Sequence, residues 1–287
     1  MTGSDVQPKF RVEAVECAYQ GGVVPALFYR PSAPAPYPAI VDVHGGAWTS
    51  SDCRQSADIH RSLAESGIAT LALDFSMPPQ AAFPQSLAEI NLGMRWLKAH
   101  ARELGTEPRL IGGFGTSSGG HQLMVNVLRP RDPRYASLRP TEAPQVDASL
   151  AYAVLGWPVI DPVARFQMAK ERGNTRLMDA HHAYFPNHEL MVEANPQAIV
   201  DRGDATDLPP LLLLQGTDDD NVPSGMADTF AKTYRGAGGE IDVHYFAGEP
   251  HTFVTRNFAS PAARRAMVLM KDFIVKMSER PARSSAA

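Results

Sequence analysis

The sequence predicts an α/β protein: a mostly parallel eight-stranded sheet flanked by helices, with a small helical cap insertion. Three observations carry that prediction. Short apolar runs such as Ala39–Val43 (AIVDV), Ile68–Asp74 (IATLALD) and Pro210–Gln215 (PLLLLQ) have the length and continuity of strands buried on both faces. Stretches with helical spacing lie between such runs, so successive strands are joined by crossovers and run parallel. At the start, Phe10–Tyr19 and Val23–Tyr29 are separated by Gly21-Gly22 and read as an antiparallel hairpin.

The other elements follow in order. A proline-rich connector (Pro31, Pro34, Pro36, Pro38) leads into Ala39–Val43, which ends in His44-Gly45-Gly46. A helical stretch around Ser56–Ser66 stops at Gly67, and Ile68–Asp74 follows as a strand. Gln85–Leu104 carries Leu87, Ile90, Leu92, Met94, Trp96 and Leu97 ahead of the stop signal Gly105, the pattern of a long helix. Arg109–Phe114 (RLIGGF) is a buried strand, followed by a Gly/Ser turn and a short helix, His121–Leu128. Val146–Leu155 and Pro210–Gln215 are further strands; Ser224–Tyr234 is a helix, Ile241–Phe246 the last strand and Pro261–Met277 the closing helix. Residues 158–208 are too long for a plain connection and read as a cap over one edge of the sheet. The chain 1–287 is therefore expected to be one domain with a cap insertion at about 158–208 and a frayed tail at 279–287.

Composition narrows the class. Forty-four per cent of the residues are hydrophobic, enough for a real core, and the 22 Gly and 24 Pro follow no repeat period, which excludes collagen-like and low-complexity chains. Twenty-seven Lys+Arg against 31 Asp+Glu give a net charge of −4, with no basic run longer than a pair. That argues against nucleic acid or an anionic membrane surface as a partner. Cys17 and Cys53 have no metal-ligand spacing and fit a reducing compartment. MTGSDVQPKF shows neither a basic nor an apolar signal region, and no stretch approaches the ~20 apolar residues of a membrane span. A soluble, cytoplasmic protein is expected, with no metal or cofactor motif; a homodimer is compatible with the sequence.

The strongest chemical signal is Gly115-Thr116-Ser117-Ser118-Gly119, after a buried strand and before a helix. G-x-S-x-G in that context is a nucleophile elbow, with glycines where side chains would collide across the turn. Ser118 would have Thr116 at the −2 position, so Ser117 is the nucleophile candidate. A serine hydroxyl needs a base, itself oriented by an acid. His251, on the Gly/Pro loop after the last strand, can swing over the elbow, whereas His244 lies inside that strand. The Pro210–Gln215 strand runs into Asp218, Asp219 and Asp220; chain order points to one of them as the acid, and a solvated turn or cation site is the alternative. Backbone N–H groups of His44-Gly45-Gly46-Ala47-Trp48, with the N–H of Ser118, can converge on one oxygen as an oxyanion hole. His44 reads as a brace for that loop.

Five segments together resemble an α/β-hydrolase esterase of the hormone-sensitive-lipase-like branch and its arylformamidase-like and feruloyl-esterase-like neighbours. They are HGGAW (44–48), LALDFSMPPQAAFP (71–84), GFGTSSGGH (113–121), LPPLLLLQGTDDDNVP (208–223) and GEPHTF (248–253), in family order. The resemblance implies an α/β-hydrolase fold and a serine hydrolase that forms an acyl-enzyme. It implies Ser117 as nucleophile, His251 as base, Asp219 as acid with Asp218 second, and oxyanion donors near Gly46 and Ala47. Ala47 stands where the lipase-like branch has a third glycine, and Asp74-Phe75-Ser76 where it has D-Y-R. HGGAW, with His121 after the elbow, leans toward the formamidase-like and feruloyl-like side.

A small carboxylic ester is the substrate expected, an aryl-N-formamide the alternative with the same chemistry, and a non-catalytic ligand-binding relative a third reading. Trp48, Trp157, Phe166, Tyr184 and Phe185 are candidates for lining a closed substrate pocket, with core packing as the equal alternative; a closed pocket predicts short acyl chains of about C2 to C6. His181, His182 and His188 read as polar cap surface rather than metal ligands, Asp161 as a lesser candidate for the acid, and Cys53 as a small buried hydrophobe.

Overall fold

Eight strands form one sheet in the order β1-β2-β4-β3-β5-β6-β7-β8 in the computed structural model, which describes residues 8–281. β1 (Phe10–Tyr19) and β2 (Gly22–Pro31) make the hairpin, Phe10 opposite Pro31 and Tyr19 opposite Gly22, and β2 pairs antiparallel with β4 (Ala69–Leu73). From there every pairing is parallel, through β3 (Ala39–Val43), β5 (Ile111–Thr116), β6 (Ala153–Gly156), β7 (Leu211–Gly216) and β8 (Ile241–Phe246). Strands β3 to β7 are buried at every position, which is why they read as continuous apolar runs.

The two faces of the sheet divide these side chains by strict alternation. Leu211, Leu213, Val41 and Val43 face α2 (Gln85–Ala99), α3 (Ser118–Leu128) and α8 (Met226–Gly236). Leu212, Leu214 and Ile40 face α1 (Ala57–Ala64) and α10 (Pro261–Ser278). No helix among the described residues is long and apolar enough to cross a membrane.

Some boundaries differ from the sequence reading. The strand expected over Val146–Leu155 shortens to β6, because the Asp147 carboxylate is taken by Ser149 and Lys98 and holds the chain in a local turn. The helix expected to reach Leu104 ends at Ala99, and a short 3-10 turn, Pro108–Leu110, delays β5 to Ile111. Helix α3 starts directly at Ser118, not at His121, so its free N–H groups lie beside Ser117. At the C-terminus Glu279 caps α10 and Arg280 pairs with Glu240 at 2.9 Å, so these two residues are tied down rather than frayed. The rest of the expected tail, 282–287, and residues 1–7 of the N-terminal stretch lie outside the described residues.

Between β6 and β7 the chain forms α4 (Pro162–Glu171), α5 (Thr175–Tyr184), α6 (His188–Glu193) and α7 (Pro196–Asp201). Each begins on an Asp or Asn whose side chain accepts the N–H of the third helical residue: Asp161, Asn174, Asn187 and Asn195. Asp161 also accepts from Asn195 at 2.7 Å, which removes it from the acid candidates.

Helix α3 approaches β3 so closely that a side chain cannot fit between them at Gly119. A Cβ on Gly119 would meet the Val43 carbonyl oxygen at 2.0 Å and that of His44 at 2.3 Å, both backbone. Gly119→Ala is expected to lower the melting temperature by roughly 4–10 °C, the scale of an overpacked core in a domain of this size. Circular dichroism melts check it; an unchanged midpoint would show that the two backbones can part freely.

Candidate active site

Ser117 occupies the single residue between β5 and α3 with φ 52° and ψ −121°, a conformation that costs an L-residue about 1–3 kcal/mol. Neighbours hold it there: its N–H donates to Gly156 O at 3.0 Å, and its carbonyl accepts from Val159 N at 3.0 Å. The turn closes only because Gly115 and Gly119 bring their backbones into contact; a Cβ on Gly115 would meet Gly119 O at 2.8 Å.

His251, on the loop after β8, is 2.9 Å from Ser117 Oγ through Nε2 and 2.7 Å from Asp219 Oδ2 through Nδ1. Carboxylate at Nδ1 fixes the proton there and leaves Nε2 to accept from the serine hydroxyl. Asp219 Oδ2 also accepts from Gln215 Nε2 at 2.8 Å, and its Oδ1 from Asn221 N at 2.9 Å. Burial works against ionising Asp219, but the His251 hydrogen bond and charge, with Asn221 and Gln215, outweigh it and hold the carboxyl below its ordinary range. Asp218 and Asp220 are exposed; Asp218 accepts from Thr217 Oγ1, and Asp220 offers its backbone carbonyl to Arg172. Of the acidic run, Asp219 reaches the histidine.

The loop after β3 turns through three successive positive φ angles, Gly46 (110°), Ala47 (52°) and Trp48 (64°). The Trp48 N–H donates to Ser118 Oγ at 3.1 Å, and its indole Nε1 to His121 Nδ1 at 3.1 Å. His121 passes its own proton from Nε2 to Ala194 O at 2.7 Å. The amides of Gly46, Ala47 and Ser118 make no hydrogen bond among the described residues, so all three are available to an oxygen beside Ser117. His44 stacks on Phe75 at 4.2 Å and gives Nδ1 to the Gly45 carbonyl, bracing the loop.

A cavity of about 530 Å³ opens over these groups, bounded by Gly46, Ala47, Ser117, Trp157 and His251, and by Arg165, Arg176 and Arg256. Of the aromatic residues expected to line it, Trp157 borders the cavity and the others do not. Trp48, Tyr184 and Phe185 are fully buried and pack on one another, Trp48 and Tyr184 stacked at 5.4 Å, while Phe166 packs on His181 and His182. Apolar area gains more from a sealed aromatic cluster than from facing water, so these residues fasten α5 to the loop after β3 instead of enclosing a ligand. His181 is buried inside that cluster rather than on the surface; His182 and His188 are exposed. No group of His, Cys, Asp or Glu among the described residues could hold a metal ion. Cys53 is buried, which pushes its thiol up to about 11. The arginines of the cavity escaped sequence reading, because a lone Arg on an amphipathic helix looks like a solvated face.

This sheet order, with a serine in a strained strand-to-helix turn, an acid after β7 and a histidine after β8, defines an α/β-hydrolase. The chain belongs to the BD-FAE family, whose model matches residues 27–234. It is 31% identical over 209 residues to a probable carboxylic ester hydrolase, LipM, of Mycobacterium tuberculosis, a match covering 69% of this chain and 45% of the relative. It is 23% identical to the probable isoprenylcysteine alpha-carbonyl methylesterase ICMEL1 of Arabidopsis thaliana, over 79% of this chain and 48% of that one. The chain thus spans about half the length of the curated relatives it matches. Among solved structures, a hyperthermophilic esterase from the archaeon Pyrobaculum calidifontis superposes with TM-score 0.77 at 22% identity, over 94% of this chain and 87% of that one. The carboxylesterase EstE1 from a metagenomic library superposes with TM-score 0.79 at 21% identity, over 96% and 92%. At those identities the structures establish the fold.

Burial without a compensating charge lowers the pKa of His121 to about 3 and that of His181 to about 4. The unfolded chain protonates both below about pH 6.5 while the folded one does not, so stability falls as pH drops from there and is flat above it. His121→Gln is expected to flatten the dependence of unfolding free energy on pH between about 6.5 and 5, where one such group contributes up to about 1.4 kcal/mol per pH unit. Urea titrations of both proteins across that range check it; parallel slopes would mean that His121 is protonated in the folded state.

Proposed function

We propose that the protein is a serine carboxylic ester hydrolase working through an acyl-enzyme, with Ser117 as nucleophile, His251 as general base and Asp219 as the orienting acid. The observation that carries this reading is the unbroken hydrogen-bonded line Ser117–His251–Asp219, at 2.9 and 2.7 Å. The ester hydrolases named among its relatives support it.

The geometry gives the order of events. Ser117 Oγ attacks the ester carbonyl as His251 Nε2 takes its proton, and Asp219 stabilises the imidazolium without itself accepting the proton. The carbonyl oxygen becomes an oxyanion held by the amides of Gly46, Ala47 and Ser118, each worth on the order of 3 kcal/mol in the transition state. Collapse of the tetrahedral intermediate breaks the ester C–O bond, and His251 returns the proton to the leaving alcohol. Water activated by the same histidine then releases the acid and regenerates Ser117.

Segment 158–208 acts as the cap, supplying Arg165, Arg176 and Ala180 to the cavity wall. The preference for short acyl chains rests on the polarity of that wall rather than on closure. Beyond Trp157, Ala47 and Ala180 a long chain meets mostly polar groups and gains little of the ~0.8 kcal/mol per methylene that an apolar tunnel supplies.

Ser117→Ala is expected to abolish the acyl-enzyme burst with p-nitrophenyl acetate, and Asp219→Asn to lower kcat by on the order of 10³–10⁴. Asp218→Asn and Ser118→Ala should lose far less. Near-wild-type turnover by Ser117→Ala would sink the assignment, and a crippled Asp218→Asn would move the acid. Across p-nitrophenyl esters kcat/KM should peak at about C2 to C6, and a rise toward C12 would refute the polar wall as the filter. Faster turnover of N-formyl-aryl amides than of esters would transfer the same machinery to formamide hydrolysis.

A further inference from the structure

The cavity above Ser117 carries more positive charge than ester hydrolysis uses. Arg165 on α4, Arg176 on α5 and Arg256 at the end of α9 (Phe253–Arg256) all border it, against one bordering carboxylate, Asp220. The whole chain is net negative, at −4, so this concentration is local.

Arg165 is the unusual member. It is 1% exposed, and half of its fork is committed: Nε donates to Asn221 O at 3.0 Å and Nη2 to Asn221 Oδ1 at 2.6 Å. Its Nη1 is buried with no hydrogen-bond partner, and the guanidinium lies over the Trp48 ring at 5.3 Å. No carboxylate within the described residues forms an ion pair with it. Burial first, and repulsion from Arg176 second, lower its pKa to about 10, partly offset by attraction to the Asp219 carboxylate, so it remains cationic at neutral pH. A buried cation without an ion-paired carboxylate is expensive to keep unless something further opposes its charge. Arg176 and Arg256 are exposed at the cavity rim and also form no ion pair among the described residues. Three arginines that form no ion pair among the described residues, set against the single bordering carboxylate of Asp220, focus a positive potential into the cleft.

We propose that this cavity selects esters bearing a carboxylate at their non-reacting end, with Arg176 and Arg256 contacting the anion and the buried Arg165 holding the potential positive beneath it. The proposal rests on the ester-hydrolase reading and specifies its substrate class. Arginine suits the task because its fork pairs with a carboxylate in two parallel hydrogen bonds. The carboxylate belongs either to the acyl half or to the alcohol half of the substrate, depending on which half lies toward the arginines.

Two substrate pairs separate those halves: methyl hydrogen succinate against methyl butanoate for the acyl side, and 4-acetoxybenzoate against phenyl acetate for the alcohol side. In one pair the anionic ester should lead in kcat/KM by about tenfold or more, the size of one charge-assisted contact, and the lead should shrink as ionic strength rises. The double variant Arg176→Gln/Arg256→Gln should cut that lead mainly through KM with its melting temperature unchanged, since both residues are exposed. Arg165→Lys, which keeps the charge and loses the fork, should retain more of the lead than Arg165→Met. Equal kcat/KM within both pairs, or a lead that survives the double variant, would overturn the proposal. Calorimetric titration of Ser117→Ala with the same four esters reads the anion site without turnover. Preferential binding of an anionic ester by Ser117→Ala, together with wild-type protein inert toward all four, would overturn the hydrolase reading and leave the anion site standing. Absence of any preference there would overturn the anion site itself.

Discussion

The contact between α3 and β3 governs this molecule. Gly119 lets the helix axis come so near the strand that the Val43 and His44 carbonyls occupy the space of its missing side chain. Only at that distance can Ser117 bridge strand and helix in a single residue, and only with its backbone forced to φ 52°. The strain of about 1–3 kcal/mol is sustained because β6 supplies the Gly156 carbonyl to its N–H and the chain beyond supplies the Val159 N–H to its carbonyl. A looser contact would let the turn relax into ordinary helix and withdraw the hydroxyl from His251.

The same approach sets the loop opposite. With α3 against β3, Ser118 Oγ reaches the Trp48 N–H and His121 reaches the Trp48 indole, so one helix turn fastens both the backbone and the side chain of that residue. The direct consequence is a division of labour between adjacent serines. Ser117 borders the cavity, and Ser118 fixes the loop of Gly46 and Ala47 that borders it too. Trp48 in turn is the surface on which Tyr184 and Phe185 of the inserted segment pack, so aromatic packing and the polar site share one foundation.

Charge on the two sides of the site is arranged asymmetrically. Asp219 is buried and ionised because His251, Asn221 and Gln215 surround it with donors. Asn221 takes part on both sides, giving its N–H to Asp219 and its carbonyl and side chain to Arg165. The carboxylate bonded to His251 and the buried cation at the cavity wall are therefore held by one residue, within a loop that follows β7 directly.

Much of this organisation is local in origin and could be read from the chain alone. The central strands β3 to β7 were legible because a strand buried on both faces must be apolar throughout, the opening hairpin because of its Gly-Gly turn, and the glycine-flanked serine because a turn that tight excludes side chains at fixed positions. His251 and the acidic run were legible as loop residues after late strands. Which carboxylate meets the histidine was not decided by spacing, since Asp218, Asp219 and Asp220 are neighbours; the direction in which the loop leaves β7 turns Asp219 inward and its neighbours to solvent. The pocket wall was left undecided for a related reason. Composition shows that Trp48, Phe166, Tyr184 and Phe185 want burial, but not whether they obtain it against a ligand or against each other. Strand identity, turn sites and the kinds of reactive group follow from interactions within a few residues, and those the sequence alone determines. The pairing of Asp219 with His251, the sealed aromatic cluster and the unpaired cation of Arg165 depend on contacts between segments far apart in the chain, and only the tertiary structure decided them.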